Sequence, residues 1–269
     1  MIPAVRKRMP VLFVGHGNPM NAIESNAYSH AWEATGKSLP RPEAIVCVSA
    51  HWETNGTSVT AMQSPKTIHD FYGFPQDLFA VEYAAPGSPD LARRILELCL
   101  STPVRLDDGW GLDHGAWSVL CRMFPAADIP VVQLSLDRAK TPAGHYALGK
   151  ELAPLRGEGI LIIGSGNVVH NLGMLNWGGG AYPWAVEFDK HIAGMIMRRD
   201  HKGILDLLDR REEIRLAIPT SEHFLPLIYC IALQEEDDEV SFLTEEVTMG
   251  SLSMRSLRID RTPAGRRGS

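Results

Sequence analysis

Three of the ten histidines share one kind of position, because each lies at or just beyond the end of a short aliphatic run. The runs and their histidines are Val11–Val14 with His16, Ile45–Ser49 with His51, and Ile160–Ile163 with His170. In a parallel sheet, all three imidazoles would lie at the carboxyl edge, where the ligand sites of open α/β folds collect. Neutral imidazole binds zinc, iron, copper or nickel well. The pattern therefore predicts a metal site assembled from remote segments.

Two further histidines lie in segments that can carry chemistry. His223 opens an apolar stretch and offers another imidazole, while its neighbour Glu222 offers a carboxylate instead. His114 precedes a helical pattern, where it can hydrogen-bond a ligand or shuttle a proton with Asp113 orienting it. The alternative is structural, with Asp113 or His114 capping the helix. A single histidine near a strand end is also more often a hydrogen-bonded structural residue than a ligand.

A long segment, residues 64–87, is punctuated by proline and glycine and carries several aromatic or ionisable side chains. They are His69, Asp70, Phe71, Tyr72 and Phe74. Long loops inside compact domains often form lids or pocket walls. A surface loop without a functional role fits the same length equally well.

The elements that must position these residues alternate along the chain. Aliphatic runs of strand length, typical of strands buried on both faces, occupy Val11–Val14, Ile45–Ser49, Val131–Leu136 and Ile160–Ile163. Helical patterns cover Pro89–Leu100, Ala116–Phe124, Pro142–Leu155, Trp184–Arg199 and His223–Leu233, and two final strands are expected within Val240–Ile259, at a sheet edge. The alternation predicts the α/β class, as a single domain with a central, mostly parallel sheet flanked by helices.

Composition narrows the classes of protein. The 269-residue chain has a formal net charge of -6 and no long basic run, so no nucleic-acid partner is expected. Its apolar runs are too short to cross a bilayer, and no signal-peptide pattern follows the basic N-terminal residues, so neither membrane association nor export is expected. The four cysteines form no C-x-x-C pair, and three lie in apolar surroundings. They are typical of reduced thiols in a cytoplasmic protein.

Several motifs, taken together and in order, resemble one enzyme family. The segments are Gly15–Met20 (GHGNPM), Ser49–Trp52 (SAHW), Asp113–Gly115 (DHG), Gly166–Asn171 (GNVVHN) and His223–Leu227 (HFLPL). They resemble the class III extradiol ring-cleavage dioxygenases, most closely the branch that contains the bacterial 4,5-DOPA extradiol dioxygenases. The resemblance runs from about Pro10 to Ile259. It implies one catalytic domain over residues 1–260, and residues 261–269, which are rich in Arg, Gly, Pro and Ser, are expected to form a disordered tail.

The resemblance implies a metal site. His16 and His51 would be ligands, and the third ligand would be His223 or, alternatively, Glu222. His170 would be the acid/base residue beside the metal, or would itself coordinate a resting-state ion such as zinc. Fe(II) is the ion that the chemistry requires, while Zn(II) is also expected in isolated protein because histidine-rich sites bind it more tightly.

The resemblance also implies the reaction. The substrates would be dioxygen and a small-molecule catechol such as L-DOPA, opened by 4,5-cleavage in a monomer or small homo-oligomer. His170 would exchange protons with the catechol, and His114 would help to bind dioxygen or substrate. His69, Phe71 and Tyr72 would shape the pocket for the aromatic ring.

Two other functions use the same residues. A zinc hydrolase could activate water at the histidine site, although the chain has no H-E-x-x-H pair. A non-enzymatic metal-binding or signalling module on the same fold is the second alternative. The presence of both His114 and His170 favours an enzyme.

Overall fold

The structure is a computed structural model that describes residues 8–261, apart from the side chain of Arg211. Within this part of the chain the strands are β1 Val11–Gly15, β2 Ala44–Thr54, β3 Thr57–Thr60, β4 Val104–Asp107, β5 Val131–Asp137, β6 Ile160–Gly166, β7 Asp238–Thr244, β8 Val247–Thr248, β9 Leu252–Ser253 and β10 Ser256–Arg261. The helices are α1 Ala27–Ser38, α2 Gln76–Phe79, α3 Pro89–Leu98, α4 His114–Met123, α5 Pro142–Glu151, α6 Pro154–Gly157, α7 Pro183–Met197, α8 His201–Asp209, α9 Arg211–Ile214 and α10 Leu225–Ala232.

Eight strands form one sheet in the order β4-β3-β5-β2-β6-β1-β10-β7, and β8 pairs with β9 separately. The centre of the sheet, β5-β2-β6-β1, is parallel, whereas β10 and β7 add antiparallel strands at one end. Gly15 is paired with Gly166, and Ser49 with Ser165. This register brings the carboxyl ends of β1, β6 and β2 to the same level.

Helices cover both faces of the sheet, and the side chains of β1 alternate between them. Val11 and Phe13 join the core beneath α3, α5, α7, α8 and α10. Leu12 and Val14 join the core beneath α1, α2 and α4. Burying one such side chain contributes roughly 1.5–3 kcal/mol, so the double coverage explains why the central strands are continuous aliphatic runs.

The predicted class is confirmed, as a single α/β domain with a mostly parallel sheet. The helix predicted over Pro142–Leu155 is divided into α5 and α6, where Pro154 interrupts the backbone hydrogen bonding. Arg261, which was assigned to the tail, is the last residue of β10, and residues 262–269 lie outside the described part. No helix among the described residues is long and apolar enough to span a bilayer.

Candidate metal centre

The carboxyl edge of the sheet carries the histidines that the aliphatic runs predict. His16 comes directly after β1, and its backbone N–H donates to the carbonyl of Gly166, 3.2 Å away, at the end of β6. His51 lies inside β2 rather than beyond it, where the pairing with β5 shifts register between Val48 and Glu53. Such an irregularity re-aims side chains at a sheet edge.

His223 reaches the same edge from the segment that precedes α10. Its carbonyl accepts a hydrogen bond from the backbone N–H of Asn167 at 2.7 Å, just beyond β6. A Cβ atom on Gly166 would lie 2.1 Å from that carbonyl oxygen, so only glycine permits the approach. The close contact between backbones thus holds His223 beside the strand ends.

The rings of His16, His51 and His223 have the mutual spacing that one shared ion requires. Their centroids are separated by 5.0 Å (His16 to His51), 5.4 Å (His16 to His223) and 5.0 Å (His51 to His223). Three imidazoles bound at about 2.0–2.1 Å to a tetrahedral ion would have centroids roughly 5 Å apart. The ring spacing therefore fits a metal ion, although the ligand atoms lie within 4.8 Å of one another as two sets, His16 with His51 and His114, and His223 with His170 and Glu222.

Two further histidines extend the cluster. The ring of His114 lies 3.8 Å from that of His51, and nitrogen atoms of His16, His51 and His114 all lie within 4.8 Å of one another. The ring of His170 stacks on that of His223, with centroids 3.4 Å apart and planes 7° apart. All five predicted histidines thus form one contiguous group.

Hydrogen bonding indicates which nitrogen of His16 faces the centre. Nδ1 of His16 lies 3.0 Å from Oγ of Ser165, and this hydroxyl donates to the carbonyl oxygen of Gly115 at 2.5 Å. Because a serine hydroxyl has one proton, Oγ must accept from Nδ1–H of His16. The neutral ring then keeps Nε2 unprotonated and available to a metal.

In the other two rings Nδ1 also faces an oxygen atom, by a hydrogen bond in His223 and by a longer ion-pair contact in His51. Nδ1 of His223 lies 3.0 Å from Oε1 of Glu222, while its Nε2 is buried and has no hydrogen-bond partner among the described residues. Nδ1 of His51 lies 3.3 Å from Oδ2 of Asp70. An outer acceptor on one ring nitrogen, with the other nitrogen directed to a common centre, is typical of metal-binding histidines.

Burial keeps these imidazoles neutral. It is the largest cause that lowers the pKa of His16 and His223 well below the usual value, and the neighbouring histidines lower it further. Burial also lowers the pKa of His51 to about 3, with His114 as the next cause, although Asp70 opposes the shift. The pKa of His170 falls to about 4, again mainly through burial. Neutral rings are the form that binds metals.

The helix α4 begins at the site with Asp113 as its cap. The Asp113 carboxylate accepts from the backbone N–H of Ala116 at 3.1 Å, which confirms the structural interpretation of Asp113. It also accepts from Ser49 at 2.6 Å and from the amide of Gln133 at 2.7 Å. Asp113 therefore orders the surroundings of His114 through the helix, without contacting its ring.

The long loop contributes to the site through two residues, of which one was predicted. The ring of Phe71 meets that of His114 edge-on, with centroids 5.5 Å apart. His69 lies farther back, where its Nε2 is 3.0 Å from the carbonyl oxygen of Val81. Tyr72 is 92% exposed, so it lines no enclosed pocket in this conformation. The second contributor, Asp70, was given no role by the sequence.

Two partners of the histidines were missed because their sequence signals are weak. No motif around Ser165 indicates a contact with His16, because that contact depends on the register that places Ser165 opposite Ser49. Asp70 lies between two predicted pocket residues, and its contact with His51 depends on how the loop folds back. No spacing rule identifies such contacts.

Together, the fold and the cluster define an α/β protein with a candidate mononuclear metal centre at the carboxyl edge of its sheet. A family model described as the catalytic LigB subunit of aromatic ring-opening dioxygenase matches residues 11–256. The chain therefore belongs to this family, whose dioxygenases are non-haem metal enzymes, and the resemblance drawn from the motifs is confirmed.

Individual relatives agree with the family. The chain is 49% identical over 258 residues to a 4,5-DOPA dioxygenase extradiol of Escherichia coli K12, covering 94% of this chain and 95% of the relative. It is 38% identical to the 4,5-DOPA dioxygenase extradiol of Beta vulgaris, with coverage of 93% and 96%. The crystal structure of an uncharacterized Escherichia coli K12 protein superposes with a TM-score of 0.82 at 45% identity, covering 94% of this chain and 100% of the other.

Proposed function

We propose that this chain is an extradiol dioxygenase, which opens the ring of a catechol such as L-DOPA with dioxygen by 4,5-cleavage. The observation that carries the proposal is the convergence of His16, His51 and His223, each with Nδ1 held by an outer acceptor, in a chain of this family. Relatives named 4,5-DOPA dioxygenase extradiol, which align with nearly the whole chain, support the substrate class.

His16, His51 and His223 are the proposed ligands, and Glu222 is an outer partner of His223. Oε1 of Glu222 accepts from the hydroxyl of Thr220 at 2.8 Å and faces Nδ1 of His223 at 3.0 Å. A carboxylate oxygen engaged in this way orients a ligand rather than serving as one. The histidine alternative for the third ligand is thus the better supported.

Bound Fe(II) would supply a redox-active centre with open positions at which a catechol and dioxygen meet. Zn(II) would bind the same nitrogens more tightly but has no redox chemistry of its own. We therefore expect protein isolated without added iron to contain zinc and to be inactive as an oxygenase.

His170 is the proposed acid/base residue. Its ring is held against that of His223, and its lowered pKa leaves it unprotonated at neutral pH, as a proton acceptor must be. It would take a proton from a catechol hydroxyl and return one as the ring opens. His114 would bind dioxygen or substrate from the other side, while Phe71 would bound the ring pocket. His69 and Tyr72 remain predicted pocket residues.

The test is anaerobic reconstitution of metal-free protein with Fe(II), followed by addition of air-saturated buffer with L-DOPA or caffeate. Oxygen consumption and a yellow ring-opened product are expected, and the zinc-loaded protein serves as the control. If iron-loaded protein consumes no oxygen with any catechol, the proposal is wrong. Ester or amide cleavage by the zinc form without oxygen would instead support a zinc hydrolase. Metal binding without either activity would support a binding module.

A further inference from the structure

Among the residues that the structure describes, Asp70 is the carboxylate that lies against both His51, a proposed metal ligand, and His114. Its Oδ2 lies 3.3 Å from Nδ1 of His51, and its Oδ1 lies 3.0 Å from Nδ1 of His114. Oδ1 also accepts the backbone N–H of His114 at 2.9 Å. These contacts join the long loop, β2 and α4 at one side chain.

We infer that Asp70 is a positioning residue that fixes the rings of His51 and His114 together, which rests on the proposed function of the site. Its carboxylate can only accept, so it favours a proton on Nδ1 of both rings. Nε2 of His51 is then free for a metal, and Nε2 of His114 is directed away from Asp70 towards bound reactants. One side chain would thus couple metal affinity to turnover.

The arrangement makes this role stronger than that of an ordinary loop carboxylate. The Asp70 side chain is about one-fifth exposed, and that of His114 only 8%, so water screens their contact poorly. The two rings that it holds lie 3.8 Å apart, so a displacement of either ring would move the other. Nδ1 of His114 is buried and makes no hydrogen bond of good geometry among the described residues, so the carboxylate oxygen of Asp70, 3.0 Å away, is the acceptor that a small rotation of the ring would engage.

A purely structural role for Asp70 has to be separated from this one. His114 is the first residue of α4, so the bond from its backbone N–H to Asp70 also satisfies one free donor of the helix. Asp70→Asn keeps an oxygen atom that can accept from the backbone N–H of His114. It removes the negative charge of the carboxylate, and its amide NH₂ group would face Nδ1–H of either His51 or His114, where it cannot accept. Asp77→Asn, an exposed change in α2 within the same segment of residues 64–87, is the matched control.

The first measurement is Co(II) binding, followed by the visible absorption of the metal-loaded protein. It needs no turnover, so it separates this inference from the proposed function. Asp70→Asn should weaken Co(II) binding by about 10–100-fold, as expected for loss of an outer partner of a ligand, whereas Asp77→Asn should match the parent protein. Unchanged Co(II) affinity and spectrum in Asp70→Asn would overturn the inference.

The second measurement concerns turnover with Fe(II). In the parent protein, Asp70→Asn should lower kcat more than it raises KM, because the catechol still meets the same pocket. In a His114→Ala background the same change should lower kcat by a smaller factor, since one of the two rings that Asp70 holds is gone. Equal losses in the two backgrounds would contradict the coupling to His114. If the parent protein binds Co(II) but consumes no oxygen when it is loaded with Fe(II), the proposed dioxygenase function is wrong. The inference about Asp70 and the metal ligands is then still tested by Co(II) binding.

A third measurement needs no substitution and applies even if Asp70→Asn does not fold. Imidazole ¹⁵N NMR of the zinc-loaded protein should show a proton on Nδ1 of both His51 and His114. An Nδ1 without a proton on either ring could not donate to the carboxylate, and that result would overturn the inference.

Discussion

Nε2 of His16 lies 3.1 Å from Nε2 of His51, although 35 positions separate the two residues in the chain. Nδ1 of His16 is engaged by Ser165, and Nδ1 of His51 faces Asp70. With a proton on each Nδ1, two lone pairs face each other across a buried gap, which is unfavourable unless a cation lies near both. A cation bound to both nitrogens would relieve this repulsion, whereas a proton on either Nε2 would turn the contact into a hydrogen bond.

Removing the Ser165 hydroxyl should weaken metal binding without removing a ligand. In Ser165→Ala, Nδ1 of His16 loses its acceptor, so the ring loses both orientation and a preferred tautomer. We expect zinc affinity to fall by about tenfold or more in a chelator competition assay. Ser25→Ala is a suitable control, because it breaks another serine–histidine hydrogen bond, to His30, at the surface. Equal affinities for the two variants would contradict the assignment.

The third ligand can be identified by comparing His223→Ala with Glu222→Gln. If His223 binds the ion, its removal should abolish stoichiometric zinc retention after dialysis. Glu222→Gln should retain the ion with an affinity reduced about 10–100-fold, as expected for an outer partner. Metal analysis of the dialysed proteins gives the answer. If Glu222→Gln loses the zinc and His223→Ala retains it, Glu222 is the third ligand.

His170→Ala should separate proton transfer from metal binding. The variant should bind zinc with the same stoichiometry as the parent protein. In the parent, the ring of His170 stacks on that of His223 but is not one of the three proposed ligands. Its turnover of catechol with Fe(II) should fall by roughly 10²–10⁴-fold, the usual contribution of a general acid or base. Loss of the metal in this variant would show that His170 is a ligand.

A histidine outside the site should govern part of the acid sensitivity of the fold. Burial lowers the pKa of His145 to about 4, with Lys140 as the next cause, while Nδ1 lies 2.9 Å from the hydroxyl of Tyr229. Between pH 6.5 and about 4 the unfolded chain binds a proton here that the folded chain does not. The free energy of unfolding therefore falls as the pH is lowered through this window, by about 3 kcal/mol from this residue.

Chemical denaturation of metal-free protein at several pH values tests this effect. His145→Gln should have a shallower decline in the free energy of unfolding between pH 6.5 and 4 than the parent protein, because the titrating group is gone. The five histidines of the site contribute equally to both proteins. Parallel pH profiles would rule out His145 as a source of the acid sensitivity.

Much of the fold follows from the sequence because the central strands are buried on both faces. Aliphatic runs mark β1, β2 and β6, and β5 differs only by the buried Gln133 and Ser135, so burial on both faces is visible whatever the register. In contrast, β3 is a four-residue run with three hydroxyl-bearing side chains, and β4 alternates charged and aliphatic residues. Such short outer strands become strands only through their neighbours.

The residues of the site also differ in how well the sequence predicts them. The histidines are predictable because their residue type is rare and each lies near the end of a recognisable strand or the start of a recognisable helix. The roles of Ser165 and Asp70 are not predictable, since they depend on the register of β6 against β2 and on the path of a long loop. The choice between Glu222 and His223 also needs coordinates, because adjacent residues differ only in the direction of their side chains.

The most direct test of the proposed centre is a crystal structure of metal-loaded protein with anomalous scattering measured at the zinc or iron edge. A single peak bound by Nε2 of His16, His51 and His223 is expected, with Ser165, Asp70 and Glu222 at the opposite ring nitrogens. An ion bound instead by His170 and the carboxylate of Glu222, with His16 and His51 outside its coordination sphere, would contradict the account.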